Sequence, residues 1–355
     1  MKKLKKNYGI KIGQLTIGKN YNPIIISEIG INHGGSLEKA IKIADAAINS
    51  GAKIIKHQTH ILDDEYSYHA KKTVPGNSNE SIYEIIKKNS LNEEQEFKLM
   101  NYIKNRKKVF ISTPFSRKAV DRLIKFKTPA FKIGSGECNN YPLVDYIAKF
   151  KKPIIMSTGM NSLKNVSKSV DIIKKYHTAF CLMHCTNIYP TPPNLVNLGA
   201  MKQMMDKYRN IPIGLSDHTQ GISISLGAVA LGACLIEKHF THSKKIKGPD
   251  ISASMDPNEL KQLIKGSKEI FLARGGKKNP LKEEKITMKF AFASVVSVKK
   301  IKKGEKLNKN NIWVKRPGTG YFIAKNYFNL LGKKVRRDIE VGEQLKKKDI
   351  LKKKK

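Results

Sequence analysis

The chain has 355 residues, 40% of them hydrophobic, with 68 Lys and Arg against 29 Asp and Glu for a formal charge of +39. That length suits one large domain plus a smaller one, and no apolar stretch approaches the roughly 20 residues of a membrane span, so a soluble protein with no membrane partner is expected. The charge invites a nucleic-acid reading, but lysines scattered through every helix pattern supply nearly all of it, whereas a nucleic-acid surface favours clustered arginine with interleaved aromatics; no nucleic-acid partner is expected.

The first residues, "MKKLKKNYGI", are basic but lead into "KIGQLTIGKN" rather than an apolar segment with a cleavage site, so no secretory signal is expected. Cys138, Cys181, Cys185 and Cys234 lie in or beside apolar strand patterns without a C-x-x-C pair. They read as reduced core thiols of a cytoplasmic protein. In "CLMHCT", strand alternation sends Cys181 and Cys185 to the face opposite His184, which favours packing over a zinc site.

From residue 24 onward, short apolar runs alternate with amphipathic stretches. The runs are "IIISEIG" (24–30), "KIIKHQT" (53–59), "VFISTP" (109–114), "AFKIGSG" (130–136), "PIIMSTG" (153–159), "AFCLMHCTN" (179–187), "IPIGLSDH" (211–218) and "CLIEKHFT" (234–241). Helical periodicity fills 36–50, 93–105, 117–125, 162–175, 222–231 and 258–273, several of these opening on a Ser or Asn cap. Eight strands with helical crossovers predict an α/β chain closed as a (β/α)8 TIM barrel, with its active site at the carboxyl ends of the strands. A doubly wound open sheet is the alternative, but "GINHGG" lacks the G-x-G-x-x-G turn such sheets usually carry. The barrel is assigned to 1–273 and a polar linker to 274–289. A small β-rich domain over 290–355 is built around "SVVSV" and two similar turns, "KKGEKL" and "EVGEQL".

Every strand pattern ends in groups that an apolar core rejects: Glu28; Lys56 and Gln58; Ser112 and Thr113; Lys132 and Ser135; Ser157 and Thr158; His184 and Asn187; Ser216 and His218; Glu237 and His239. Their convergence at one barrel mouth implies a polar pocket for a charged ligand. Two lysines, several hydroxyls and the "KIGSGE" turn suit phosphate and carboxylate together. His218 and His239 end the seventh and eighth strands and can converge on one divalent cation with open positions for a Lewis-acid role. Other readings stay open from the residues alone: Glu28 as a structural partner of Lys56, and a Schiff base on Lys56, Lys132 or Lys238 as in aldolases.

The stretches "SEIGINHGGS", "GAKIIKHQTH", "STPFSR", "AFKIGSGECNNYPL", "MSTGM", "TNIYPT", "GLSDHT", "EKHFT" and "GPDISASMDP" resemble, in order, the N-acetylneuraminate (sialic acid) synthases and the related legionaminic and pseudaminic acid synthases. "FAFASVVSVKKIKKGEKL" and "NIWVKRPGTG" resemble that family's antifreeze-like (SAF) domain. The resemblance implies a transferase that condenses phosphoenolpyruvate with N-acetylmannosamine and water, giving N-acetylneuraminate and phosphate by C–O cleavage, with Mn²⁺ or Mg²⁺. It implies a metal on His218 and His239 that polarises the sugar aldehyde for attack by C3 of phosphoenolpyruvate.

By the same match, Lys56, Thr113, Lys132, Ser135, Ser157, Asn187 and Ser216 hold phosphoenolpyruvate, and Glu28 and Glu137 handle protons and water. Gln58, Asn77, Tyr189, Asp250, Phe290 and Arg316 meet the sugar, Arg316 in the partner subunit of a domain-swapped homodimer. "KHQTH" with "PGN" resembles the sialic acid branch more than the pseudaminic branch, and the family pattern N-H-N-G stands here as Asn32-His33-Gly34-Gly35. A legionaminic acid synthase acting on 2,4-diacetamido-2,4,6-trideoxymannose is the nearest alternative.

Overall fold

The computed structural model describes residues 9–75, 79–246, 248 and 250–351. The chain divides into two compact units between Gly275 and Gly276. The first opens with an antiparallel hairpin, β1 (Gly9–Ile12) and β2 (Leu15–Gly18), whose turn uses Gly13 at φ 56°. Eight parallel strands follow: β3 (Ile24–Glu28), β4 (Ile54–Thr59), β5 (Val109–Pro114), β6 (Phe131–Ile133), β7 (Ile154–Ser157), β8 (Phe180–Cys185), β9 (Ile213–Asp217) and β10 (Leu235–His239). They close in chain order, β10 pairing with β3, so the expected (β/α)8 barrel is the observed fold.

Strand alternation sorts the side chains into two cores. Ile24, Ile26, Ile54, Val109, Ile111, Ala130, Ile155, Cys181, Met183 and Leu235 pack inside the barrel, and Ile10, Ile12 and Ile17 of the hairpin join the same cluster. Residues of opposite parity, such as Ile25, Ile55, Phe110 and Leu182, pack outward against the helices. The inner apolar layers occupy the amino-terminal part of each strand. Polar residues of the same parity therefore emerge only at the carboxyl ends, which gives the barrel a dry floor and a charged mouth.

The helices begin where the chain supplies caps. Ser36, Asn92, Ser116 and Ser162 each accept a hydrogen bond from a backbone N–H of the first turn, ahead of helices Leu37–Asn49, Glu93–Asn105, Arg117–Lys125 and Leu163–Lys175. Asp256 and Glu259 form a capping box at Pro257–Ala273. No helix among the described residues is long and apolar enough to cross a membrane.

The second unit has its own core of Val295, Ile301, Leu307, Ile312, Tyr327, Leu330, Val335, Ile339 and Leu345. Strands β11 (Ser294–Ser297) and β12 (Ile312–Lys315) pair antiparallel. The two similar turns place Gly304 and Gly342 at φ 85° and 86°, and Ile301 exchanges backbone hydrogen bonds with Ile339. Residues 285–291, expected within or just after a flexible linker, form a helix (Lys285–Ala291). "KITMKFA" contains no glycine or proline, so nothing in it opposes helix formation.

Candidate active site

The mouth is built around four buried charges that alternate in sign. Register sets Glu28 beside Lys56 across β3 and β4, and Ser216 beside Glu237 across β9 and β10. Lys56 Nζ lies 2.7 Å from Glu28 Oε2 and 3.9 Å from Glu237 Oε1, and donates to Thr113 Oγ1 at 3.2 Å. Lys132 Nζ lies 3.4 Å from Glu237 Oε1 and donates to Ser157 Oγ at 2.7 Å. Ser216 Oγ also donates to Glu237 Oε1, at 3.0 Å, while Glu237 Oε2 is buried without a hydrogen-bond partner.

Burial pulls the Lys56 ammonium down, but the Glu237 and Glu28 carboxylates outweigh it and the net shift is upward. Lys132 moves the other way, because burial exceeds the help it receives from Glu237. Glu237 is raised by burial yet held well below the usual carboxylate range by Lys132 and Lys56. Both lysines thus start out partly satisfied by carboxylates, and an anion entering the mouth competes for them.

The small residues around these charges make a cradle. Ser135 Oγ accepts from the Gly159 N–H at 3.0 Å, and Asn161 Nδ2 donates to the Ser135 carbonyl at 3.0 Å. A Cβ on Gly159 would fall 2.0 Å from Asn187 Oδ1 and 2.9 Å from Ser135 Oγ. Only glycine lets the chain after β7 pass this close to both groups.

His218 and His239 stand with ring centroids 5.4 Å apart. His218 Nδ1 donates to the Thr186 carbonyl at 2.8 Å, which leaves its Nε2 as the lone-pair nitrogen. His239 Nδ1 lies 3.3 Å from Asp250 Oδ2 without making a directed hydrogen bond. Burial pushes both imidazoles down to about 4, His218 further through its neighbour His239, while Glu28 works against the shift at His239. Neutral imidazoles with a nearby carboxylate are the donor chemistry that a divalent transition ion requires. Among the described residues no cluster of three or more His, Cys, Asp and Glu side chains is arranged as a complete metal site.

Beyond the imidazoles lies a cavity of about 460 Å³ lined by Gln58, Glu137, Tyr189, His239 and Asp250, together with His60, Glu65, Tyr66, Asn140, Ile31, Ile86 and Phe115. The Tyr189 ring packs 4.0 Å from that of His218. Burial raises Asp250 to about 6, against the opposing pull of the His218 ring and the Lys56 ammonium. It also raises Glu137, which accepts from Asn140 Nδ2 at 2.6 Å.

Of the residues singled out in the sequence, Glu28, Lys56, Gln58, Thr113, Lys132, Ser135, Glu137, Ser157, Asn187, Tyr189, Ser216, His218, His239 and Asp250 lie at the carboxyl ends of the barrel strands or on the segments that follow them. Asn77 falls outside the described residues. Phe290, 62% exposed on helix Lys285–Ala291, and the exposed Arg316, before a cis-proline, belong to the second unit.

The expectation that every polar strand end faces the mouth is corrected for several residues. Ser112 bonds Thr59 Oγ1 at 2.7 Å, Thr158 Oγ1 donates to the Met183 carbonyl at 2.9 Å, and His184 Nε2 donates to the Val196 carbonyl at 2.6 Å. Each is of opposite parity to an inward neighbour and turns toward the helical layer. Lys238, a candidate Schiff-base lysine, likewise turns away, its Nζ 3.2 Å from Asp217 Oδ2. Glu237, a strand-end carboxylate to which the resemblance gives no role, shares the face of His239 through its parity on β10.

The NeuB family model matches residues 17–279 and the SAF domain model residues 292–351. An N,N'-diacetyllegionaminic acid synthase of Campylobacter jejuni is 39% identical over 331 residues, covering 91% of this chain and 98% of that protein. A pseudaminic acid synthase of the same species is 34% identical, covering 96% and 100%. Among solved structures, the N-acetylneuraminic acid synthetase of Leptospira borgpetersenii, in complex with citrate, aligns with TM-score 0.73 at 30% identity over 79% of this chain and 95% of that one.

Proposed function

The chain belongs to the NeuB family and carries a C-terminal SAF domain, and from that premise we propose that it condenses phosphoenolpyruvate with N-acetylmannosamine and water to give N-acetylneuraminate and phosphate. One observation carries the reading: the buried Glu28–Lys56–Glu237–Lys132 alternation lies in the same barrel mouth as two neutral imidazoles. Lys56 and Lys132, with Thr113, Ser135, Ser157, Asn187 and Ser216, bind the phosphate and carboxylate of the enol ester. A Mn²⁺ or Mg²⁺ ion on His218 and His239 supplies Lewis-acid activation of the acceptor's carbonyl when bound.

The remaining work falls to the chain's own groups. Gln58, Tyr189 and Asp250 orient the acceptor, while Glu28 and Glu137 hold or move protons as C3 of phosphoenolpyruvate bonds to the aldehyde carbon and water adds at C2. The C2–O bond to phosphate then breaks, so the bridging oxygen leaves with phosphate. Asp250, raised by burial to about 6, is a carboxyl group able to exchange protons near working pH, and burial shifts Glu137 in the same direction.

The polar cavity wall of Gln58, His60, Glu65, Glu137 and Asn140 supports a hydroxyl-rich acceptor. The second reading, condensation with 2,4-diacetamido-2,4,6-trideoxymannose, draws support from the 39% identical relative and from Ile31, Ile86 and Phe115 in the same wall. A cytoplasmic domain-swapped homodimer, in which Arg316 of the SAF domain reaches the acceptor's N-acetyl group in the partner subunit and Phe290 and Asn77 also contact the sugar, belongs to the same proposal.

Phosphate release from phosphoenolpyruvate, measured with each sugar, tests it. Turnover is expected with N-acetylmannosamine, to cease on treatment with EDTA and to return with Mn²⁺. Turnover indifferent to EDTA, or a substrate-dependent adduct trapped by borohydride on Lys56 or Lys132, would instead support a Schiff-base aldolase.

A further inference from the structure

One polar chain at the cavity edge runs from Glu28 and Gln58 on to His60 and Glu65, two side chains to which the reaction steps above give no task. Gln58 Nε2 donates to Glu28 Oε1 at 3.0 Å, and Gln58 Oε1 lies 3.2 Å from His60 Nε2. His60 Nδ1 in turn lies 2.9 and 3.1 Å from the two oxygens of Glu65. The side chains of His60 and Glu65 are 3% and 8% exposed, so the pair is buried at the cavity edge. Three further features hold it in place. His60 follows β4 two residues after Gln58 and so shares its face; its ring stacks on Phe115 at 4.5 Å and 7°; and Asp64 Oδ2 accepts the Lys118 N–H at 2.8 Å, anchoring the one-turn helix that carries Glu65.

The two ends of a glutamine amide are nearly alike in shape, so hydrogen-bond partners decide which way it faces. Both partners of the His60 ring are oxygen atoms. With the Gln58 NH2 group turned to Glu28, the ring meets Gln58 Oε1 through an Nε2–H donor. A ring without a proton on Nε2 would draw the Gln58 NH2 group toward itself. Gln58 Oε1 would then face Glu28 Oε1, acceptor against acceptor, and the carboxylate would lose its only tie besides Lys56 among the hydrogen bonds and ion pairs of the described residues.

We propose that His60 and Glu65 are a positioning pair for the condensation: they set the orientation of the Gln58 amide, and through it the orientation of the Glu28 carboxylate. The proposal rests on the reading of the mouth as the condensation site. It assigns the pair no contact with phosphoenolpyruvate, whose lysines lie on the far side of Glu28.

Two substitutions separate hydrogen bonding from packing. His60→Phe keeps a ring to stack on Phe115 but cannot donate, whereas His60→Gln keeps an N–H donor near the Nε2 position. In steady-state phosphate release with phosphoenolpyruvate and N-acetylmannosamine, H60F is expected to lose about 10- to 100-fold in kcat. KM for phosphoenolpyruvate should stay within about twofold, the signature of a defect realised after that substrate binds. H60Q should regain most of the lost kcat, and both variants should melt close to the parent protein.

An H60F enzyme within about twofold of the parent in kcat, or an H60Q enzyme as impaired as H60F, would overturn the pairing. If H60F does not fold, Glu65→Gln, which preserves shape, takes its place: a fall in kcat at unchanged KM is expected, and unchanged kcat overturns the proposal. A parent protein that neither binds phosphoenolpyruvate in calorimetry nor releases phosphate overturns the proposed reaction itself, and the pairing with it. An active parent with unaffected variants overturns the pairing alone.

Discussion

Replacing His218 with alanine is expected to lower kcat/KM for phosphate release by on the order of 10³-fold at saturating Mn²⁺. The size follows from the site's economy of ligands. On the proposed reading two imidazoles supply its nitrogen donors, and the described residues offer no third histidine at their side to take over. Thr186 fixes the His218 tautomer through a 2.8 Å hydrogen bond, so the lone pair on Nε2 is prepared before any ion arrives. The fold should tolerate the change, because His218 lies just beyond the end of β9 and the apolar layers below are untouched. A loss of less than about tenfold, with the metal requirement intact, would show that this imidazole is not a ligand.

Lys132→Met is expected to raise KM for phosphoenolpyruvate by on the order of 10²-fold, with a smaller fall in kcat. Methionine matches the length of the lysine stem but brings no charge, so the enol ester loses one of its two buried cations. The substitution has a second consequence inside the resting site. Glu237 would keep only Lys56, at 3.9 Å, as a cationic partner among the described residues, and a buried carboxylate so exposed to an apolar surrounding destabilises the fold. The double variant Lys132→Met with Glu237→Gln separates the two effects. It should recover thermal stability while KM remains high; recovery of KM together with stability would mean that Lys132 serves the fold rather than the anion.

Much of the barrel is legible in the chain because its signals are local. Strand β5 and helices Glu93–Asn105 and Arg117–Lys125 occupy the residues that periodicity and caps predict, and the other barrel strands fall inside their predicted runs. The mouth residues follow from the same pattern, since inward parity is already apolar along the lower part of each strand and turns polar only at its end.

What the pattern does not resolve is which of two adjacent polar residues points inward when both look functional. Ser112 beside Thr113, Thr158 beside Ser157 and Lys238 between Glu237 and His239 are told apart only by pairing register. The hairpin Gly9–Gly18 is too short to announce itself, because its Ile10, Ile12 and Ile17 are buried only as part of the cluster on the barrel floor. Glu237 was visible as a strand-end carboxylate, but its place between Lys56 and Lys132 depends on three strands meeting across the barrel. The His60–Glu65 pair joins a strand end to a one-turn helix, and no periodicity links the two.

Anomalous diffraction at the manganese edge, from crystals soaked with Mn²⁺ and phosphoenolpyruvate, interrogates the mouth most directly. The expected result is a single strong peak coordinated by nitrogens of both His218 and His239, with the phosphate of the enol ester on Lys56 and Lys132. Manganese bound elsewhere, or an enol ester that leaves both lysines still paired with Glu28 and Glu237, would contradict it.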